Sequence, residues 1–161
     1  MQESGKNTRG RSTGPHRFKM KGWISCAPFE RLLNIEIVEA SDGQAELKMP
    51  FFMEYAQGGG LMHGGALVAL ADTAVVMAIK TRIPAQSHFA TIQMESKFLS
   101  PVTKGTVTAK ARVAEREGRL LKGEATLYNE DGRIVMEFST TFKMARDTAI
   151  RGITFETQGS G

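Results

Sequence analysis

Apolar positions fall into two rhythms along this chain. From Ala66 to Ile79 they are nearly continuous, too long for one ordinary strand and rich in the strong helix formers Ala, Leu and Met. This predicts a helix from about Gly64 to Lys80, ending where Lys80 and Arg82 suit a C-terminus and before Pro84, which cannot continue it. Elsewhere the period is two. Ile35–Ala40 and Gln44–Met49 flank Ser41-Asp42-Gly43, a hairpin signal. Four more strands follow Pro84. His88–Leu99 alternates with Ala90, Ile92, Met94 and Phe98 on one face, and Lys104–Ala114 with Val107, Ala109, Ala111 and Val113. Arg119–Tyr128 follows a turn at Glu115–Gly118, and Arg133–Met144 follows one at Asn129–Gly132. Pro28–Leu33 reads as a short helix. Strands with one apolar face form an antiparallel sheet covered on one side. The long helix is the only adequate cover, so the expected class is α+β, a sheet curled around one central helix.

At 161 residues, 41% hydrophobic and 24% charged, the chain reads as one soluble domain. No apolar run reaches the ~18 residues of a membrane span. The single cysteine, Cys26, excludes an internal disulfide and fits a cytoplasmic protein. The net charge of +4 is uneven. Residues 1–21 carry six Lys/Arg against one Glu, leaving the rest close to neutral and giving no case for a nucleic-acid partner. The expected organisation is a disordered basic tail over 1–21, one domain over 22–146 and a C-terminal extension over 147–161 with a frayed end.

The chemistry concentrates in Gln57–Arg82, QGGGLMHGGALVALADTAVVMAIKTR. A glycine-rich loop leads through His63, Gly64 and Gly65 into the helix, whose apolar run is broken by one carboxylate, Asp72. An ionised Asp in a buried helix costs several kcal/mol unless paired or solvated. Asp72 therefore either pairs with a neighbouring group or does chemistry. There is no G-x-S-x-G elbow and no H-E-x-x-H, and the three scattered His make no metal site.

The HGGALVALADTA core, with Asp72 nine residues beyond His63 and Ser100-Pro101 ending a later strand, resembles the hotdog-fold acyl-CoA thioesterases, in particular their phenylacetyl-CoA thioesterase-like branch. The resemblance spans about residues 27–144. It departs at Gln57, where the family commonly has Asn, and at Thr91, where some members have Ser. It implies a hotdog fold, acyl-CoA hydrolysis without a cofactor, and sites shared between subunits of a homodimer or homotetramer. It also implies cations near the CoA phosphates, for which Lys97, Lys104, Arg116 and Arg119 are candidates; Lys on a surface strand also serves solubility. A non-catalytic acyl-CoA-binding module is the alternative, although residues 1–21 are too short for an attached DNA-binding domain.

The residues carry the same chemistry without the family. Thioester hydrolysis needs a donor for the developing oxyanion and a carboxylate that attacks or activates water. Gly64 N–H, with Gly65, is the natural donor at a helix N-terminus, and Asp72 the natural carboxylate. Eight residues of helix separate them by about 12 Å, so both can act on one carbonyl only from different copies of the chain. His63 is read as holding its loop rather than as a base. Gln57 either orients water or ties down its loop, and Thr91 either bonds the carboxylate or is an ordinary strand residue. His88 is an exposed loop residue and Cys26 a buried filler. Met53, Met62 and Met77 either line an acyl pocket or fill the core.

Overall fold

A computed structural model of the chain describes residues 10–146 and 151–156. Strand β1 (Phe18–Met20) and helix α1 (Pro28–Leu32) precede the hairpin of β2 (Glu36–Ser41) and β3 (Gln44–Pro50). The long helix α2 (Gly64–Lys80) follows, then β4 (Phe89–Phe98), β5 (Thr106–Glu117), β6 (Leu120–Tyr128), β7 (Ile134–Met144) and β8 (Ile153–Phe155). Strands β2 to β7 form one antiparallel sheet in the order β2-β3-β5-β6-β7-β4, leaving β2 and β4 as edges. This is the hotdog arrangement, with α2 laid across the concave face.

The fit between helix and sheet rests on small residues. Ala71, Ala74 and Ala78 of α2 are fully buried, as is Ala109 of β5, with Ala125 of β6 nearly so. Gly123 of β6 is required here, because a Cβ would strike the Val75 side chain. Larger residues fill the flanks, including Leu47, Met49, Leu127 and Met136, all at 0% exposure. The β2–β3 turn has Asp42 at φ 50 and Gly43 at φ 76, the left-handed pair of a tight two-residue hairpin. It is tied to the end of α2. Gly43 N–H donates to Thr81 Oγ1 at 2.7 Å and Arg82 donates to the Asp42 carbonyl at 2.8 Å.

Three expectations change. Strand β5 runs on through Glu117, so Glu115–Glu117 belong to the strand and the turn contracts to Gly118 and Arg119. The terminal segments are not simply unstructured. Phe18–Met20 of the basic tail pairs in parallel with Ile153–Phe155 of the C-terminal extension. Their apolar side chains close over Trp23, which packs edge-on against Phe155 at 5.9 Å and Phe89 at 6.5 Å. The rest of the expected disordered tail, residues 1–9, and the expected frayed end, residues 157–161, lie outside the described residues.

The third change is in β4. A bulge at Ile92 separates the pairs Thr91–Phe142 and Gln93–Thr141. Cross-strand partners share a face. Phe89 and Thr91 therefore point toward the helix before the bulge, and Met94, Ser96 and Phe98 do so after it. The simple alternation that grouped Ala90 and Ile92 with Met94 and Phe98 is broken by one extra residue. Ile92 and Phe98 remain 57% and 56% exposed along this free edge. Among the described residues, no helix is long and apolar enough to cross a membrane.

Candidate active site

The glycine-rich loop is held before the helix begins. Gln57 N–H donates to Leu61 O at 2.8 Å, His63 N–H to Tyr55 O at 2.7 Å and Met62 N–H to Val102 O at 2.9 Å. His63 is the N-cap of α2, and its Nδ1 accepts from Gly65 N–H at 2.8 Å. This is the structural role expected of His63, and it uses the donor that Gly65 would have offered a substrate. Gly64 N–H has no hydrogen-bond partner among the described residues. It sits at the positive end of a 17-residue helix. A Cβ on Gly64 would lie 3.3 Å from the Phe98 ring, so glycine keeps this approach open. Gln57 folds back on its own loop, its Oε1 accepting from Gly59 N–H, and does not reach Asp72.

Two turns along α2, Asp72 is half-buried and receives the Thr91 hydroxyl at 3.1 Å and 3.2 Å from its two oxygens. The bulge makes this contact possible by turning Thr91 inward. Burial pushes the Asp72 carboxyl above the ordinary aspartate range, the Thr91 hydroxyl pulls it back, and the charge of Glu30 adds a smaller upward push. The result is a carboxylate that is less solvated than usual and bonded by a single hydroxyl. Such a group is basic enough to take a proton and exposed enough to meet a substrate.

The uncovered side of α2 forms a stripe. Val68, Asp72, Val76 and Lys80 recur every four residues and are all only half-buried. The helix rests on β3, β5 and β6, and this stripe faces the seam beside edge strand β4. Gly64 and Asp72 open on the same seam but about 12 Å apart along the helix.

The four expected phosphate-binding cations do not form one cluster in a protomer. Lys97 pairs across the sheet with Glu137 on the outer face, away from α2. Lys104 lies in the β4–β5 connection, 3.7 Å from Glu130. Arg116 and Arg119 sit at the β5–β6 tip, donating to Gly118 O and Met144 O at 3.3 Å each. Along β6 the row of Lys97 and the row of Arg116 are five residues apart, roughly 17 Å. His88 is exposed, as expected. Cys26 is half-buried, donates to Ile35 O at 3.3 Å, and burial raises its pKa, which keeps it a thiol. Met62 and Met77 are core, whereas Met53 is 84% exposed on a 3-10 turn.

Sequence reasoning missed a cavity of about 330 Å³ beside the carboxylate. It lies between the ends of α2 and β4 and the β1–β8 pair, with Trp23, Val76, Lys80, Phe89, Thr91 and Phe155 among its walls. The spacing of Asp72, Val76 and Lys80 was readable as one helix face. The closure by Trp23 and the terminal strands was not.

Residues 59–136 match the family model described as the thioesterase superfamily. A conserved protein of Pseudomonas aeruginosa is 27% identical and superposes with a TM-score of 0.72, covering 76% of this chain and 97% of that one. The PaaI protein of the E. coli phenylacetic acid degradation operon is 25% identical with a TM-score of 0.70, covering 80% and 88%. A protein of Saccharolobus solfataricus, provisionally named an esterase, is 24% identical over 104 residues, 65% of this chain and 74% of that one. In its HGG loop, lone helix carboxylate and hotdog sheet, the chain is similar to the thioesterase superfamily.

Proposed function

We propose that the protein is an acyl-CoA thioesterase that hydrolyses its substrate at a site shared by two subunits. The observation that carries this reading is the pair formed by Asp72 and Thr91, set about 12 Å from the unpartnered Gly64 N–H on the same open seam. A thioester carbonyl held by Gly64 N–H gains stabilisation as its oxygen becomes negative. Asp72 supplies the carboxylate, either attacking the carbonyl carbon or taking a proton from the attacking water. The C–S bond then breaks, and CoA leaves as the thiol once it gains a proton; where Asp72 is the nucleophile, water afterwards hydrolyses the acyl–Asp72 anhydride to the free acid and restores the carboxylate. Thr91 holds the carboxylate in position.

The edge of β4 supplies the means of bringing the two halves together. It is unpaired on one side and carries the exposed Ile92, Met94 and Phe98. An unpaired apolar edge invites a second strand. An antiparallel self-pairing of β4 about a twofold axis near its middle brings the Thr91 end of one strand beside the Phe98 end of its partner. Phe98 lies against Gly64 in its own chain, so Asp72 of each copy comes near the donor of the other. A twofold dimer then holds two equivalent sites, and a homotetramer doubles this unit. The CoA moiety extends over the subunit surface, where cations from two chains are available. The single cysteine and an acyl-CoA substrate suit a cytoplasmic setting.

The test is release of free thiol by the purified protein from a panel of aryl, short-chain and long-chain acyl-CoAs. Steady turnover of at least one of them is expected. Binding without release would favour the non-catalytic acyl-CoA module, and neither binding nor release would remove both readings.

A further inference from the structure

The cavity beside Thr91 has an apolar body and a cation at its far end. Its wall begins at Thr91, whose hydroxyl is on Asp72, and continues past Val76 to Lys80. Asp72, Val76 and Lys80 are spaced four residues apart on one helix face, so Lys80 lies about 12 Å beyond the carboxylate along the axis. Trp23 and Lys80 lock each other in place. The indole N–H donates to Lys80 O at 3.0 Å, and Lys80 Nζ donates to Trp23 O at 2.9 Å and lies 4.6 Å from the ring centroid. Among the described residues no carboxylate lies within ion-pair distance of this ammonium. Burial draws its pKa below the ordinary lysine range, with the charge of Glu30 opposing. The ammonium has three N–H donors and one protein acceptor among the described residues. Trp23, Phe18 and Phe155, which close this end, all lie outside the residues 59–136 matched to the superfamily.

We propose that this cavity receives the acyl group and that Lys80 selects acyl groups carrying a hydrogen-bond-accepting oxygen, above all a carboxylate, at the end remote from the thioester. The inference rests on the thioesterase reading and deepens it. A purely hydrocarbon tail reaching Lys80 would strip water from the ammonium and give nothing in return. A terminal oxygen replaces that water with a charge-assisted hydrogen bond. The helix spacing of about 12 Å between Asp72 and Lys80, less the length of the two side chains, is of the size of a six-carbon chain or one aromatic ring. Val76, Phe89 and Trp23 give the middle of such a group an apolar bed.

Two measurements test this separately from the thioesterase reading. The first is kcat/KM for hexanoyl-CoA against adipoyl-CoA, and for benzoyl-CoA against its para-hydroxy analogue. The oxygen-terminated member of each pair should be favoured by roughly tenfold or more, the carboxylate most strongly. Lys80→Met should erase that preference, and Lys80→Arg should keep most of it. The second uses Trp23, the chain's single tryptophan, as a fluorescent reporter of cavity occupancy without any hydrolysis. Free adipate should perturb its emission at concentrations roughly tenfold lower than hexanoate. Hydrolysis with no preference within pairs, or a preference that survives Lys80→Met, overturns the role given to Lys80. No hydrolysis of any acyl-CoA, together with adipate-selective fluorescence that Lys80→Met abolishes, removes the thioesterase reading and leaves the binding site. An indifferent Trp23 in the wild-type protein overturns the cavity assignment even if the variants fail to fold.

Discussion

Asp72 holds its proton more tightly in the folded protein than in the unfolded chain, because burial penalises the charge more than the Thr91 hydroxyl relieves it. Two opposite effects on stability and activity follow. For stability, the cost of ionising Asp72 is absent below the unfolded pKa of about 3.9 and is complete above the raised folded value. Asp72→Asn should therefore unfold at a higher temperature than the parent at neutral pH, with the difference fading below about pH 4. A lower melting temperature at neutral pH would mean that the carboxylate is stabilised in the fold. For activity, the proposed role of Asp72 requires the ionised form, so turnover should rise with pH on a limb above the usual aspartate range. The same Asn variant should lose at least roughly a hundredfold in kcat. Thr91→Val removes the one bond that lowers the pKa, so its acid limb should move to higher pH than the parent's, a shift read from kcat/KM profiles of both proteins. Asp72 was legible in the sequence because a charge in an apolar run demands an explanation. The geometry of Thr91 was not. Counting by twos puts it on the face away from Ala90 and Ile92, and one bulged residue that leaves no clear trace in local composition turns it inward.

At the scale of elements, α2 was the most readable part, because a long run of strong helix formers bounded by glycines and Pro84 admits few alternatives. Its start depends on His63, whose ring takes the Gly65 N–H and thereby leaves Gly64 as the open donor. His63→Ala should cost about 1 kcal/mol through the lost cap, measurable by denaturant unfolding, and should reduce activity by loosening the loop. His63→Asn puts a good capping side chain in the same place. It should recover most of the stability and most of kcat, whereas a dead but fully stable Asn variant would make the imidazole itself catalytic. The terminal strands were less readable. Three-residue strands give too few positions for a period to emerge, and Phe18 and Met20 sit among basic and polar residues. Their pairing with Ile153–Phe155 depends on residues more than 130 positions away, which local patterning cannot see. The cavity they close was hidden for the same reason. Likewise β5 continues past Val113 as a charged ribbon, where alternation of apolar residues ends before the hydrogen-bonded ladder does.

For the whole molecule, the question is whether one chain can be complete. The covered part of α2 is buried against the sheet, but the stripe through Val68, Asp72 and Val76 faces an open seam, and β4 beside it has a free, apolar edge. The two groups proposed to act on one carbonyl lie about 12 Å apart on a rigid helix, and no rearrangement of side chains closes that distance. In the proposed dimer a second copy does so by pairing along β4, which would also cover the exposed Ile92 and Phe98. The arrangement has a consequence that a self-contained site lacks. A homodimer of Asp72→Asn chains lacks the carboxylate in both sites. A homodimer with a bulky residue at Gly64 lacks the donor approach in both, since even a Cβ there meets the Phe98 ring at 3.3 Å. A mixed dimer gathers both defects into one site and leaves the other intact. Unfolding, mixing and refolding the two variants in equal amounts should yield mixed dimers with about half the activity of a parental dimer, and these form about half of the population if pairing is random. The mixture should therefore recover about a quarter of parental activity, from two nearly inactive parents. If native mass spectrometry shows the mixed species and the mixture stays inactive, the carboxylate and the donor act within one chain, and the shared site is wrong.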